Sequence, residues 1–443
     1  MNSSCKLNWG ITPSVLRELW GGVIEQILLY GCPAWASCID KCWLENQLES
    51  LQRFFATKII KSFKNVSYEA AIHLSGLSPI MEKVNERCIL YAIKHPDSYQ
   101  INSTYPHISV VNHLLEQYGI NLTEYEHASI NTVSPHENMK PCVSLKSCNH
   151  YPIRSTNSIN IYTDGSKSPN GTGSGFVMFT QLIPIQYGIY KIDDNNSVYQ
   201  AEVFAILNSL KRLLSLPISH VKNKSIQIFS DSESALTAIE DVHNTNKLVQ
   251  EVHKYIRFLT QFANLNLYWC KGHSGILGNE IADYLANLGA VSDNKIPLKL
   301  PISYAKNEIK QIRKQNWLTR WQNSPNGRTT FSFIPGYPPK HFTDKFLRHQ
   351  ITQILTGHSR LNTYLAHIGI TDDPVCACND SIETVNHFLF ECNIENVNRI
   401  GTIQKTCLSQ NIRFPPDRKE LINNKKLLES LGKFLTNSTR LDF

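Results

Sequence analysis

Two stretches of the chain alternate apolar and polar residues with the two-residue period of a half-buried strand, and each stops at an acidic residue. Ile159-Asn-Ile-Tyr-Thr-Asp164 ends beside Gly165 and Ser166, and Ser225-Ile-Gln-Ile-Phe-Ser-Asp231 ends before Ser232-Glu-Ser-Ala-Leu236, which reads as a capped helix start. Between them, Gly173–Phe179 and Ile185–Tyr190 read as strands, and a helix opens at Tyr199. Its Val203, Leu207, Leu210 and Leu214 recur at helical spacing and are expected to face the sheet. A helix over Asn246–Gln261, a strand over Leu265–Trp269, a glycine-rich loop from Cys270 to Gly275 and a helix from Asn279 complete the pattern. Five strands interleaved with helices predict an α/β layer fold for residues 157–293.

The flanks read differently. Residues 1–96 carry apolar positions at helical spacing, in Pro13-Ser-Val-Leu-Arg-Glu-Leu-Trp20 and at Leu48, Leu51, Phe54, Phe55, Ile59 and Ile60. Residues 97–156 are rich in Ser, Asn, His and Pro without sustained periodicity and suit a linker. Residues 294–400 open on a helix-like stretch, Tyr304 to Trp321. There Lys306, Lys310, Arg313 or Lys314 form a basic stripe, and Ile309, Ile312 and Trp317 an apolar one. The stripe suits a solvated helix face or a row of phosphate contacts equally. Residues 401–443 read as a tail.

A chain of 443 residues is long enough for two or three domains. Its net charge of +7 is uneven: residues 294–443 hold 21 basic against 12 acidic side chains, whereas residues 158–293 hold 10 against 12. A basic part beside an acidic one suggests a polyanion gripped by one and acted on by the other. No apolar run approaches a membrane span, since Trp20 to Tyr30 is interrupted by Glu25 and Gln26, and the start lacks a secretory h-region. The twelve cysteines form no dense framework, so a reducing compartment is expected, nucleus or cytoplasm, with thiols free or on metal.

Asp164 and Asp231 at strand ends, Glu202 in the first turn of a helix, and Asp283 with His273 after the last strand place four carboxylates and an imidazole where one sheet edge can gather them. These blocks, Thr-Asp164-Gly-Ser, Gln-Ala-Glu202, Ser-Asp231-Ser, Gly-His273-Ser and Asn-Glu-Ile-Ala-Asp283, resemble in order and spacing the catalytic blocks of type 1 ribonucleases H. The resemblance implies a mixed five-stranded sheet flanked by helices, and hydrolysis of the RNA strand of an RNA–DNA hybrid. It further implies two magnesium ions held by Asp164, Glu202, Asp231 and Asp283, one activating water and one stabilising the leaving 3′ oxygen. His273 would help proton movement or product release. Four converging carboxylates repel one another, and divalent cations are the usual way to keep them ionised.

The pattern also departs from many cellular relatives. Asn residues before the helix glutamate touch the sugar-phosphate there, whereas Val198-Tyr-Gln-Ala precedes Glu202 here, so Asn195, Asn196 or Gln200 would have to substitute. No room is left for a basic handle between helices.

Cys376-Ala-Cys378, His387 and Cys392 supply sulfur and nitrogen donors of the kind zinc prefers, two of them expected to point the same way from an extended chain. Leu355-Thr-Gly-His358 precedes them. Together with Gly-Ile-Thr-Pro13, Leu29-Tyr-Gly-Cys-Pro-Ala-Trp35 and Leu51-Gln-Arg-Phe-Phe-Ala-Thr-Lys-Ile-Ile60, this looks like the C-terminal part of jockey-like non-LTR retrotransposon polyproteins. The resemblance implies, in order, a reverse-transcriptase thumb and connector, a ribonuclease H domain and a Cys-Cys-His-Cys zinc knuckle spanning 376–392. The paired aspartates of a polymerase palm are missing: Asp193-Asp194 follows Lys191-Ile192, and Asp372-Asp373 follows Ile370-Thr371, so no DNA synthesis is expected. The readings that compete with a hybrid-cutting nuclease are a catalytically silent nucleic-acid-binding remnant of the element and a metal-dependent DNA strand-transfer enzyme on a similar sheet.

Overall fold

In a computed structural model of the chain, residues 11–39, 41–100, 105–127, 142–144, 157–293 and 295–441 are described. Most of the stretch read as a linker from residue 128 onward lies outside the described residues. Earlier parts of that stretch carry structure of their own, including a helix at Pro106–Gln117. Two compact units emerge, one comprising residues 89–103 and 115–309, the other residues 1–88, 104–114 and 310–443.

The first unit is built on strands β1 (Cys142–Ser144), β2 (Ser158–Ser168), β3 (Gly171–Thr180), β4 (Ile183–Ile192), β5 (Ser225–Ser230) and β6 (Asn264–Trp269). Their order across the sheet is β1-β6-β5-β2-β3-β4. The β2–β3 and β3–β4 pairs are antiparallel, and β2–β5, β5–β6 and β1–β6 are parallel, so the expected mixed five-stranded sheet is present. The short β1 extends its β6 edge, pairing Val143 with Leu267. It comes from the stretch read as linker, where three residues are too few to leave a periodic signature.

Alternation along β2 sorts its side chains to two faces. Ile159 and Ile161 enter a core with Val203, Leu207 and Leu210 of the helix Val198–Leu214, against which Leu214 also packs. Tyr162 enters a second core with Phe229 of β5 and with Ala282 and Leu285 of the helix Leu277–Val291. That second helix lies almost on the strand backbone. A Cβ at Gly175 would stand 2.4 Å from the backbone nitrogen of Ala286, and one at Gly173 would stand 2.0 Å from its carbonyl oxygen.

The second unit is helical and holds a large buried core. Ala56, Ile59, Ile72 and Leu74 pack there with Trp317, Trp321, Ile354, Phe388, Leu431, Phe434 and Leu441, so residues read as a tail belong to the same interior as the N-terminal helices. The helix Ile302–Asn323 buries Ile309, Trp317 and Trp321. Its basic residues divide: Lys306, Lys310 and Lys314 are exposed, whereas Arg313 is 8% exposed and ion-pairs with Glu86. Arg320 reaches Glu49 at 2.6 Å and Glu69 at 3.4 Å, so both arginines are committed within the unit.

Candidate active site and metal centres

Parallel pairing of Thr163 with Ser230 sets Asp164 and Asp231 side by side, one residue beyond the paired stretch. Glu202 is delivered by a helix whose start is fixed by a capping box: Ser197 Oγ accepts the Gln200 N–H at 3.2 Å, and Gln200 Oε1 accepts the Ser197 N–H at 3.2 Å. Gly165 lets that helix approach β2, because a Cβ there would meet the Glu202 backbone nitrogen at 2.6 Å. One carboxylate oxygen each from Asp164, Glu202 and Asp231 lies within 4.8 Å of the others. Asp283 joins through Asp164, with which it shares a hydrogen bond when a proton is present. His273 is exposed on the loop after β6, in left-handed backbone with φ 48°.

Burial decides the electrostatics of the group. Asp164 is 6% exposed and Glu202 5% exposed. Loss of hydration pushes the Asp164 carboxyl up to about 8, with the charges of Asp231 and Asp283 adding to the rise. The same burial, then Asp164 and Asp231, holds the Glu202 carboxyl well above its ordinary range, against the opposing effect of a hydrogen bond from the Gly165 N–H. Glu202 Oε2 is buried with no hydrogen-bond partner. A buried acceptor facing two other carboxylates is satisfied by a cation, and hard oxygen donors suit a hard divalent one.

Further side chains hold these acids, and the motif blocks did not name them. Asn287 Nδ2 donates to Asp283 Oδ1 at 2.9 Å, and Ser166 Oγ donates to Asn287 Oδ1 at 2.5 Å. The signal available in the sequence was the four-residue helical spacing from Asp283 to Asn287. Trp269 Nε1 donates to the Asp231 carbonyl at 3.0 Å, and a Cβ at Gly272 would stand 2.7 Å from Asp231 Oδ2. Of the residues expected to replace the missing substrate asparagines, Asn196 is fully buried and Gln200 is 2% exposed. Both donate to the Lys299 carbonyl at 3.0 Å, and Gln200 also donates to Glu126 at 3.1 Å, so only Asn195 is exposed to a ligand.

In the other unit, Cys376, Cys378, His387 and Cys392 place one ligand atom each within 4.8 Å of the rest. The two leading cysteines sit on a tight turn rather than an extended chain. The Asn379 N–H donates to the Cys376 carbonyl at 2.8 Å, and Asn379 is left-handed at φ 59°. The five-residue step from His387 to Cys392 is closed by a π-helical turn, with the Cys392 N–H on the His387 carbonyl at 2.8 Å. Burial pushes the Cys376 thiol up to about 12, raised further by its Cys378 and Cys392 neighbours. Three thiols and an imidazole gathered in this way are a set that a soft or borderline metal ion completes. Leu355 and Thr356 end the helix His349–Thr356, Gly357 caps it at φ 74°, and His358 Nδ1 lies 3.1 Å from the Thr356 carbonyl oxygen, outside the cluster.

Comparison with known proteins decides the domain, because the RNase H family matches residues 156–291. This stretch is an RNase H domain. A "Retrovirus-related Pol polyprotein from type-1 retrotransposable element R1" of Popillia japonica is 24% identical over 213 residues, covering 47% of this chain and 81% of that protein. The protein of the same description from Bradysia coprophila is 34% identical over 84 residues, 17% of this chain and 8% of that one. A "Ribonuclease H" of Saccharomyces cerevisiae is 27% identical over 162 residues, 30% of this chain and 46% of the yeast protein. The RNase H domain therefore sits in a chain with homology to R1 non-LTR Pol polyproteins, and the Cys-Cys-His-Cys residues that the resemblance pointed to are gathered C-terminal to it. Among the described residues, no helix is long and apolar enough to cross a membrane.

Proposed function

We propose that the chain hydrolyses the RNA strand of RNA–DNA hybrids and derives from a non-LTR retrotransposon. The observation that carries the reading is the convergence of Asp164, Glu202 and Asp231 within 4.8 Å in an RNase H domain, around a Glu202 oxygen without a partner. Asp164, Glu202, Asp231 and Asp283 would hold two magnesium ions, which when bound supply an activated water and charge stabilisation at the leaving 3′ oxygen. The chain's own groups do the rest. Asp164 and Glu202, whose carboxyls burial holds above the ordinary range, would be ionised when such cations are bound. Asn287 orients Asp283, and the indole of Trp269 anchors the turn that carries Asp231. His273, exposed on the loop after β6, would move a proton or assist product departure. The 2′-hydroxyl marks the strand that is cut.

Cys376, Cys378, His387 and Cys392 would hold one structural zinc. By this reading residues 1–96 are the thumb and connector remnant, 157–293 the nuclease and 294–400 the basic region with the knuckle. The chain works inside the cell, in nucleus or cytoplasm. The test is cleavage of a labelled hybrid with magnesium. Asp231→Asn keeps the shape of the side chain and removes the charge that clamps an ion, so turnover is lost while hybrid binding persists. His273→Ala slows cleavage by roughly a hundredfold to ten-thousandfold without ending it. Comparable cutting by Asp231→Asn, or preference of the unaltered chain for the DNA strand, rules the proposal out. Binding without cleavage by the unaltered chain would leave a silent nucleic-acid-binding remnant.

A further inference from the structure

We propose that Arg440 is a positioning residue for the Cys-Cys-His-Cys metal site, acting through the carboxylate of Glu383. The inference rests on the zinc reading above. Glu383 is 2% exposed, and its Oε1 lies 4.0 Å from the sulfur of Cys376. Arg440 engages it with both arms of the guanidinium, Nε to Oε1 at 2.7 Å and Nη2 to Oε2 at 2.6 Å. The Asn362 N–H donates to the same Oε2 at 2.6 Å. Arg440 Nη2 also donates to Asn362 Oδ1 at 2.9 Å, and Asn362 Nδ2 donates to the Val375 carbonyl at 2.6 Å, one residue before the first cysteine.

The arginine is itself held in place. Its N–H donates to Ser438 Oγ at 3.3 Å, Ser438 donates to Glu395 at 2.6 Å, and the adjoining Leu441 is 1% exposed in the core.

Charge explains why the site needs this contact. Three thiolates around a divalent ion leave a net negative centre, and a buried carboxylate beside one of the sulfurs adds a second negative charge in a place water does not reach. A buried carboxylate deprived of its cation is strongly unfavourable, whereas one held by a bidentate arginine is tolerated. Arg440 neutralises Glu383 and, through Asn362, fixes Val375, the residue before Cys376. Such outer contacts typically change metal affinity by about ten- to a hundredfold.

The experiment uses the full chain loaded with zinc, in competition with a chromophoric chelator, and the cobalt(II)-substituted form read by its visible absorption. Arg440→Gln is expected to weaken zinc binding by roughly ten- to a hundredfold and to alter the cobalt bands. Adding Glu383→Gln to that variant removes the stranded charge. The double variant is expected to recover affinity to within about threefold of the unaltered chain, because the two residues act on the site as one pair. If Arg440→Gln binds zinc as tightly as the unaltered chain, or if the double variant is as weak as the single one, the inference is overturned. Failure of the unaltered chain to bind zinc would overturn the zinc reading itself, and this inference with it.

Discussion

Replacing Asp164 by Asn should stabilise the RNase H domain in magnesium-free buffer, and by more at high pH than at low pH. Asp164 is 6% exposed, and in the folded protein its carboxyl titrates at about 8, against an ordinary value of 3.8. A carboxyl whose folded value is raised favours the fold fully below the ordinary value. That contribution is then lost steadily as pH rises towards the folded value. At 1.36 kcal/mol per unit, the loss at pH 7 would reach about 4 kcal/mol if Asp164 titrated alone. Coupling to the neighbouring carboxylates lowers this, and about 2–4 kcal/mol is expected at pH 7, against roughly 1–2 kcal/mol at pH 5. Asn keeps the size of the side chain and has no charge to lose, so the variant gains the difference. Magnesium should reverse the order, because an ion that binds only the folded site stabilises the unaltered protein by mass action and the variant hardly at all. The assay is a urea series with pulse proteolysis of the full chain, quantifying peptides from residues 157–293 at pH 5 and pH 8, with chelator and then with magnesium. A variant no more stable than the unaltered protein with chelator at pH 8, or an advantage that fails to grow between pH 5 and pH 8, would refute the reasoning.

Gly175→Ala should lower the stability of the domain by about 1–3 kcal/mol or more, because the new methyl meets backbone atoms of the helix that carries Asp283. Gly22→Ala, with nothing within 4 Å, should have no comparable effect, and thermal melts of the two variants check the contrast. Elemental analysis should find one zinc per chain, and Cys378→Ser should lower the zinc content and loosen the unit that contains residues 310–443. Primer extension on an RNA template should give no product, since neither Asp193-Asp194 nor Asp372-Asp373 has the setting of a polymerase metal site.

Short-range order made the strands of the RNase H domain legible from the sequence alone. Alternation in Ile159–Asp164 and Ser225–Asp231, with acids where the pattern stops, follows from a pleat that sends successive side chains to opposite faces. The helix that carries Glu202 announced itself through Val203, Leu207 and Leu210 along one face, whereas the capping box of Ser197 and Gln200 that fixes its start emerged only in the structure. Because parallel neighbours align their strand ends, the meeting of Asp164 with Asp231 needed little more than the strand limits.

Tertiary structure decided whatever depends on partners distant in the chain. Asn196 and Gln200 look like ligands for a substrate until Lys299 and Glu126, from either side of the domain sequence, are seen to bury and occupy them. Arg313 belongs to the basic stripe by spacing, yet Glu86 draws it inward, because a carboxylate partly shielded from water needs a cation more than a solvated arginine needs phosphate. Leu427, Phe434 and Leu441 lie in what reads as a tail, since the sequence of that stretch does not say which core receives its apolar residues. The pairing of Glu383 with Arg440 has the same origin. Charge at each position is written in the sequence, but the distance that turns two charges into one neutral pair is set only when the chain closes on itself.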